Sequence, residues 1–438
     1  MLMIREKQFG IVVAVVLGCL LAAARCSAAD SPQTISFDPI PIQTAGTNVA
    51  LTATASSGLP VTFISTTERV CTIASSTSFT SYVVVLIDDG TCRVEARQPG
   101  DATYWPGRPV EHAFRVTRNP VDGYASRRRL LDFIKSISGN MTMAGQHNRE
   151  AEIGQPNWIQ WIDEVTGDYP AVWGGDFLYE PPEIANRQNM INYRLSGAEG
   201  GAVIDLMYTA CPPTLPEGCW TWQGGVLSTL TDEQWADLTT PGGTLYQIWL
   251  TRLDAIAPYL QQIQNAGFPV MLRFIHEMNQ SAFWYGGRPG PAGTALLYRI
   301  THDYLIDHWG IHNAVWVWDT QDIWDSTTNS YDFAQYDPGR SYWDIMGFDF
   351  YDGHGFTSAK YAAVTDYAGD RPIAIGECEQ LPTPAQLEAQ ARWTYFLGWA
   401  ELIQQNDTNA QIQSTYWAPD VLTENGNNPM PRQAAGSR

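Results

Sequence analysis

Basic residues are scarce in this 438-residue chain. Lysine occurs only at Lys7, Lys135 and Lys360, and 26 Lys plus Arg face 46 Asp plus Glu, for a formal charge of −20. Binding to a phosphate backbone depends on clustered Lys and Arg, so a nucleic-acid partner is excluded. Charge of either sign is also sparse, at 16% of residues, against 44% hydrophobic and 12% aromatic. Disordered chains show the reverse balance, so most of this one must pack a core. No Cys-x-x-Cys pair occurs, and neither a metal site nor a cofactor is expected. Long apolar runs are equally rare. The one from residue 9 to 24 has 16 residues, short of the roughly 20 needed to cross a bilayer.

That run has the marks of an export leader. Arg5 and Lys7 precede it, and Arg25-Cys26-Ser27-Ala28-Ala29 follows, with cleavage expected after Ala29. Residues 1–29 are therefore read as a signal peptide, and the mature protein as secreted, free of the membrane and monomeric. Of the seven cysteines, Cys19 and Cys26 leave with the leader. Export permits disulfides. Cys71 and Cys92 flank two strand-like runs, and Cys211 and Cys219 bracket a proline-rich loop, so each pair can close a short loop. Cys378 sits in an apolar strand and is expected to be buried and free.

Two textures follow. From 33 to 118, short alternating strands are broken by turns such as Asp88-Asp89-Gly90, the pattern of an antiparallel sandwich. The stretch 53–61 with Gly90-Thr91-Cys92 resembles the bacterial immunoglobulin-like modules attached to secreted enzymes. A spacer or adhesion role is expected for it, with carbohydrate binding as the alternative. From 121 to 438, apolar strands alternate with longer helical segments. Eight strands are expected, at 141–146, 171–176, 202–208, 269–276, 314–318, 344–351, 372–377 and 413–417. Helices are expected at 246–266, 296–308 and 384–404. Near-continuous hydrophobic strands alternating with helices indicate an α/β fold, a (β/α)8 TIM barrel.

Chemistry in such a barrel sits at the C-terminal strand ends. Two carboxylates end apolar strands there, Glu277 on the fourth and Glu377 on the seventh. These strands face each other across a barrel, so one carboxylate can stand on each side of a bond. Two carboxyl groups about 5–5.5 Å apart are what retaining glycoside hydrolysis requires. Around them stand His147, His276, Asp176 and Asp349, and aromatic residues are abundant. His276 is placed to tune Glu277 or bind substrate, and Asp349 to bond sugar hydroxyls or hold loops. An exported sugar-binding protein without catalysis would need the aromatics but neither glutamate.

Several motifs resemble glycoside hydrolase family 26. They are Arg273 with His276-Glu277-Met278-Asn279 and Phe283-Trp284-Tyr285-Gly286, then Gly347-Phe348-Asp349-Phe350-Tyr351-Asp352, Glu377-Cys378 and Gly145-Gln146-His147. The resemblance implies an endo-acting β-1,4-mannanase working on mannan-type polysaccharide by double displacement, with Glu277 as acid/base and Glu377 as nucleophile. It implies further that Tyr351 lies near the nucleophile and that Trp417 forms the platform under the sugar; His147, His276, Trp284 and Asp349 are further candidates for substrate binding, with a plain core role as the alternative for the two histidines. Three positions depart from the family pattern. Tyr208-Thr209 stands where Trp-His is usual, Ala282 where Trp is usual, and Glu379 where Gly is common. All three lie around the substrate subsites, which leaves β-1,3-xylan and mixed-linkage β-glucan as alternative substrates.

Overall fold

The computed structural model describes residues 31–424 apart from 42, 76–81, 118–122, 196–202, 352 and 354. The expected leader and Asp352 lie outside the described residues. No described helix is long and apolar enough to cross a membrane. Two compact units are present. One takes in residues 31–38, 53–62 and 96–110, the other 39–52, 63–95 and 111–424.

Every regular element among the described residues before 118 is a β-strand. Ile35–Phe37 pairs antiparallel with Ala53–Ala55, and Asn48–Leu51 and Cys71–Ser75 flank Tyr82–Leu86 in a three-stranded antiparallel sheet. A four-stranded sheet is ordered Gln43–Thr44, Val110–Thr117, Gly90–Arg97, Thr62–Ser65. Cys71 and Cys92 are fully buried and bridged. The strands are short and a small sheet buries little area, so a cross-link over a separation of 21 residues contributes on the order of 3 kcal/mol.

The rest is a closed barrel of eight parallel strands: β1 (Thr142–His147), β2 (Val172–Asp176), β3 (Val203–Met207), β4 (Val270–Leu272), β5 (Ala314–Gln321), β6 (Ile345–Phe350), β7 (Ile373–Cys378) and β8 (Trp393–Trp399). Pairing of β1 with both β2 and β8 closes the ring, and Val421–Leu422 adds a short ninth strand beside β1. Strand interiors are buried on both faces, which is why the hydrophobic runs are near-continuous. Period-2 alternation still sorts the faces. On β3, Ile204 and Leu206 join the layer under the helices, while Val203 packs inside the barrel and Asp205 reaches Arg273. Leu130, Ile134 and Ile137 of helix Gly123–Ile137 line one helical stripe. They pack with Met143, Met271, Val315, Ile345 and Tyr395 over the N-terminal halves of the strands. The interior is thus apolar below and charged above.

One strand is not where the sequence puts it. Residues 413–416 belong to helix Asn409–Tyr416, with Trp417 as its C-cap, and the eighth strand lies inside the segment expected to be the helix 384–404. That segment is a short helix Pro384–Ala389, then β8, then helix Ala400–Asn406. A doubly buried strand such as Trp393-Thr394-Tyr395-Phe396-Leu397 has no polar face, so periodicity cannot separate it from a buried helix. The signal that does separate them is the capping box. Thr408 with Gln411, and Thr383 with Gln386, each satisfy a helix N-terminus reciprocally.

Two strand ends are irregular where chemistry is expected. β4 is shorter than its sequence pattern, and Ile275 and Glu277 beyond it take φ of 56° and 47°. Such values cost a non-glycine residue about 1–3 kcal/mol each and persist only where the surroundings hold them. In β7, pairing with both neighbours shifts register between Ile375 and Cys378. This bulge lets Gly376 and Glu377 both face inward, since Ile375 and Cys378 on either side face the outer core.

The cysteine arrangement is directly testable. Peptide mapping without reduction should recover Cys71–Cys92 and Cys211–Cys219, with Cys378 alkylated only after unfolding. A bridged Cys378, or one that reacts in the native state, would contradict the fold.

Candidate active site

A cleft of about 870 Å³ opens over the C-terminal ends of the strands, and Glu277, Glu377, His147, His276, Tyr351 and Trp399 all line it. Beneath it lies the most heavily charged part of the interior. Arg273, the first residue past β4, is fully buried. Its Nε lies 3.3 Å from Asp205, and its Nη1 lies 2.8 Å from Asp319 and 3.5 Å from Asp349. The remaining nitrogen, Nη2, donates to Glu377 Oε1. On the other side of that carboxylate, the Tyr351 hydroxyl donates to Oε2 at 2.5 Å.

One guanidinium cannot balance four buried carboxylates, so protons must be retained. Burial, with Asp319 and Glu377 adding negative charge, raises Asp349 well above the carboxylate range and keeps it neutral. Burial likewise pushes Asp205 up to about 7 against the pull of Arg273. Although burial opposes its charge, Arg273 is held firmly cationic by Asp319, Glu377, Asp349 and Asp205. Glu377 is pushed up to about 7 by burial, while Arg273 and the Tyr351 phenol pull it back toward the ionised form.

Oxygens of Glu277, Glu377 and Asp349 all lie within 4.8 Å of one another. A divalent cation would fit three such oxygens by distance, but the Arg273 guanidinium already supplies the positive charge to two of them. His276, driven down to about 3 by burial and Arg273, is neutral, and its Nδ1 meets the Tyr285 hydroxyl at 3.2 Å. His147 is also held neutral, by burial and then by Arg273. Its Nδ1 accepts from the Arg149 backbone N–H at 3.0 Å, which puts the ring proton on Nε2. Nε2 is buried, with the His147 ring fully covered by its neighbours. The His308-x-x-x-His312 spacing brings no metal ligands together, because His308 stacks on Tyr304 and His312 on Tyr124.

Three expected contacts are placed elsewhere. Trp417 caps the helix Asn409–Tyr416 rather than a strand, and its indole N–H donates to Thr166 O. The aromatic that ends β8 in the cleft is Trp399, stacked on His147 at 4.3 Å. Trp284 is buried, bonded to Ala210 O and edge-on to Trp249, so Phe283 lines the cleft in its stead. Asp349 points down to Arg273 and has no exposed surface for a sugar hydroxyl. Asp176 is committed to Thr209, accepting from its N–H at 2.8 Å and its hydroxyl at 2.6 Å. Tyr179 and Trp222 also line the cleft; they come from loops that carry no strand-end signal.

The charged layer fits only because β7 has no side chain at Gly376. A Cβ there would stand 2.5 Å from Asp349 Oδ1 and 2.8 Å from Arg273 Nη1. Gly376→Ala should therefore lower stability by about 2 kcal/mol or more, read from denaturant midpoints. An unchanged midpoint would mean that the cluster is looser than described.

Known proteins share this architecture. Residues 120–425 match the family model "Glycosyl hydrolase family 26". A mannan endo-1,4-beta-mannosidase of Thermothelomyces thermophilus is 28% identical over 337 residues, 73% of this chain and 65% of that protein. Mannan endo-1,4-beta-mannosidase B of a Piromyces species is 26% identical over 316 residues, 67% of this chain and 51% of that protein. The chain thus spans roughly half to two thirds of the length of these curated relatives. Among solved structures, GH26A from a Muricauda species superposes with a TM-score of 0.64 at 30% identity, covering 68% of this chain and 96% of that one. The matched stretch contains all eight barrel strands and both strand-end glutamates, and the chain belongs to glycosyl hydrolase family 26.

Proposed function

We propose that this chain is a retaining endo-β-1,4-mannanase, with Glu277 as acid/base and Glu377 as nucleophile. The observation that carries the reading is the approach of the two carboxylates within 4.8 Å. That closeness falls in the short range that direct attack by one carboxylate requires, not the longer spacing of enzymes that activate a water. Glu277 gives its proton to the glycosidic oxygen as the C–O bond breaks, and the Glu377 carboxylate forms the bond to the anomeric carbon. Glu277, now ionised, takes a proton from water, which attacks the same carbon and releases Glu377. Arg273 and Tyr351 steady the charge on Glu377 before and after attack, and the buried His147 ring stacks behind Trp399. Trp399 serves as the platform under the ring at the cleavage point.

The mannan assignment rests on the named relatives, and Thr209, locked to Asp176 at the end of β3, is the reason to test β-1,3-xylan and mixed-linkage β-glucan beside it. Export is part of the same reading, from the expected leader and the two disulfides. A reducing-sugar assay across mannan, β-1,3-xylan, mixed-linkage glucan and cellulose should give the highest rate on mannan. A higher rate on another of them would reassign the substrate.

The division of labour predicts a split. Glu277→Ala should lose about 100- to 10,000-fold on polysaccharide yet retain far more turnover of an aryl glycoside with an activated leaving group, and azide should restore activity. Equal losses without rescue would reverse the assignment.

Glu377 must be ionised to attack, so activity is present above its pKa and lost as pH falls through it. With that carboxyl at about 7, kcat/KM should fall on the acid side well above the ordinary carboxylate range. Tyr351→Phe removes a donor to the charged form, which raises the pKa and moves the acid limb to higher pH. A limb that stays put or moves down would contradict the role given to the phenol.

A further inference from the structure

Tyr351 stands just past the end of β6, outside any strand or helix, yet its phenol meets Glu377 at hydrogen-bond distance. A donor on irregular backbone keeps its geometry only through whatever fastens the residues around it. Two ties come from the end of β7. Glu379 N–H donates to Phe350 O at 3.3 Å, and Gly353 N–H donates to Glu379 Oε1 at 2.6 Å. The others come from a lysine.

Lysine is rare in this chain, and Lys360, in the helix Ser358–Ala368, is the buried one among the described residues. A buried lysine needs a partner. Its Nζ pairs with the Asp322 carboxylate, donates to Gly355 O at 2.9 Å and lies 5.4 Å from the centre of the Phe350 ring. The two paired side chains are 8% and 4% exposed, so salt and water screen the pair little. One cation thus holds Phe350, which precedes Tyr351, and Gly355, which follows it.

Asp322 is fixed in turn. Its N–H donates to Asp349 O at 3.0 Å, and the Tyr331 hydroxyl bonds its carboxylate. Gln321 beside it exchanges hydrogen bonds with Asn279, its N–H donating to Oδ1 and its O accepting from Nδ2, both at 2.8 Å. Asn279 lies two residues past Glu277. The ion pair therefore joins the segment that carries Glu277 to the segment that carries Tyr351. Apolar side chains of similar volume often stabilise a buried site as well as an ion pair does, so what the pair adds is direction.

We infer that Lys360 and Asp322 are positioning residues for glycoside hydrolysis, and that their buried ion pair sets the Tyr351 phenol against Glu377. Neither lines the cleft. The inference rests on the reading of Glu377 as nucleophile.

Removing Lys360 alone would strand a buried carboxylate, so the test neutralises both partners in the full-length protein, with Asp322→Asn and Lys360→Met. Equal and opposite charges leave together. The groups facing Glu377, which are Arg273, Asp205, Asp319, Asp349, Glu277 and the Tyr285 phenol, are unchanged. The folded variant, checked by its melting transition, should lose roughly 10- to 100-fold in kcat, the worth of one hydrogen bond to a charged group, with KM little changed. The acid limb of its pH profile should move to higher pH, as that of Tyr351→Phe should, and adding Tyr351→Phe should move it no further. Asp322→Asn alone keeps the shape of the side chain and a partner for Tyr331. It should show the same changes at smaller size, and it decides the matter where the double variant does not fold. An acid limb that stays at the wild-type position, or a kcat loss that adds fully to that of Tyr351→Phe, would overturn the inference while leaving the hydrolase reading intact. A Tyr351→Phe variant whose own limb stays in place would overturn the phenol's part in that reading, and the positioning role with it.

Discussion

Four buried carboxylates share the Arg273 guanidinium in the barrel interior, and the upper half of the barrel is arranged around it. Removing it would leave Asp205, Asp319, Asp349 and Glu377 buried without a counter-charge. Breaking a buried pair by deleting one partner costs about 3–5 kcal/mol even for a single pair. The protein accommodates the group by keeping Asp349 protonated, by leaving β7 bare at Gly376, and by bulging β7 so that Glu377 meets the guanidinium from above. The same contacts that satisfy the arginine orient Glu377, the proposed nucleophile, so stability and the proposed chemistry depend on one set of distances.

Above that layer, the cleft is shaped by residues that leave regular structure. Glu277 stands on backbone with positive φ just past a short β4, and its closeness to Glu377 follows from that departure as much as from the barrel. The walls are aromatic, with Trp399 on one side and Trp222, Phe283 and Tyr179 on the other. Carboxylates and two neutral histidines lie between them. A surface of ring faces and oxygen acceptors is suited to a neutral, hydroxyl-rich chain rather than to an anion.

Much of this was legible in the sequence because a parallel barrel writes its strands as apolar runs and its chemistry at their ends. Glu277 and Glu377 were visible for that reason, and the loop cysteines because short separations close easily. The eighth strand was not, since Trp393–Trp399 is buried on both faces and reads like a core helix. With it went Trp399, and Trp417 stood in its place. Asp349 and Trp284 were legible as motif residues but not as buried ones, because sequence fixes a residue's place on a strand and not the depth to which its neighbours cover it. Trp222 sits in a loop whose course is set by a disulfide across 8 residues and by a bridge from Leu227 to Phe283, a pairing between positions far apart in the chain.

The central claim is that Glu377, held by Arg273 and Tyr351, forms the covalent bond to the sugar. Trapping with an activated 2-deoxy-2-fluoro glycoside slows breakdown of the glycosyl-enzyme, and mass spectrometry of the digested protein then locates the label. The account predicts one equivalent of sugar on the peptide that contains Glu377, at that residue. An adduct on Glu379 or Glu277, or time-dependent turnover with no adduct at all, would contradict it.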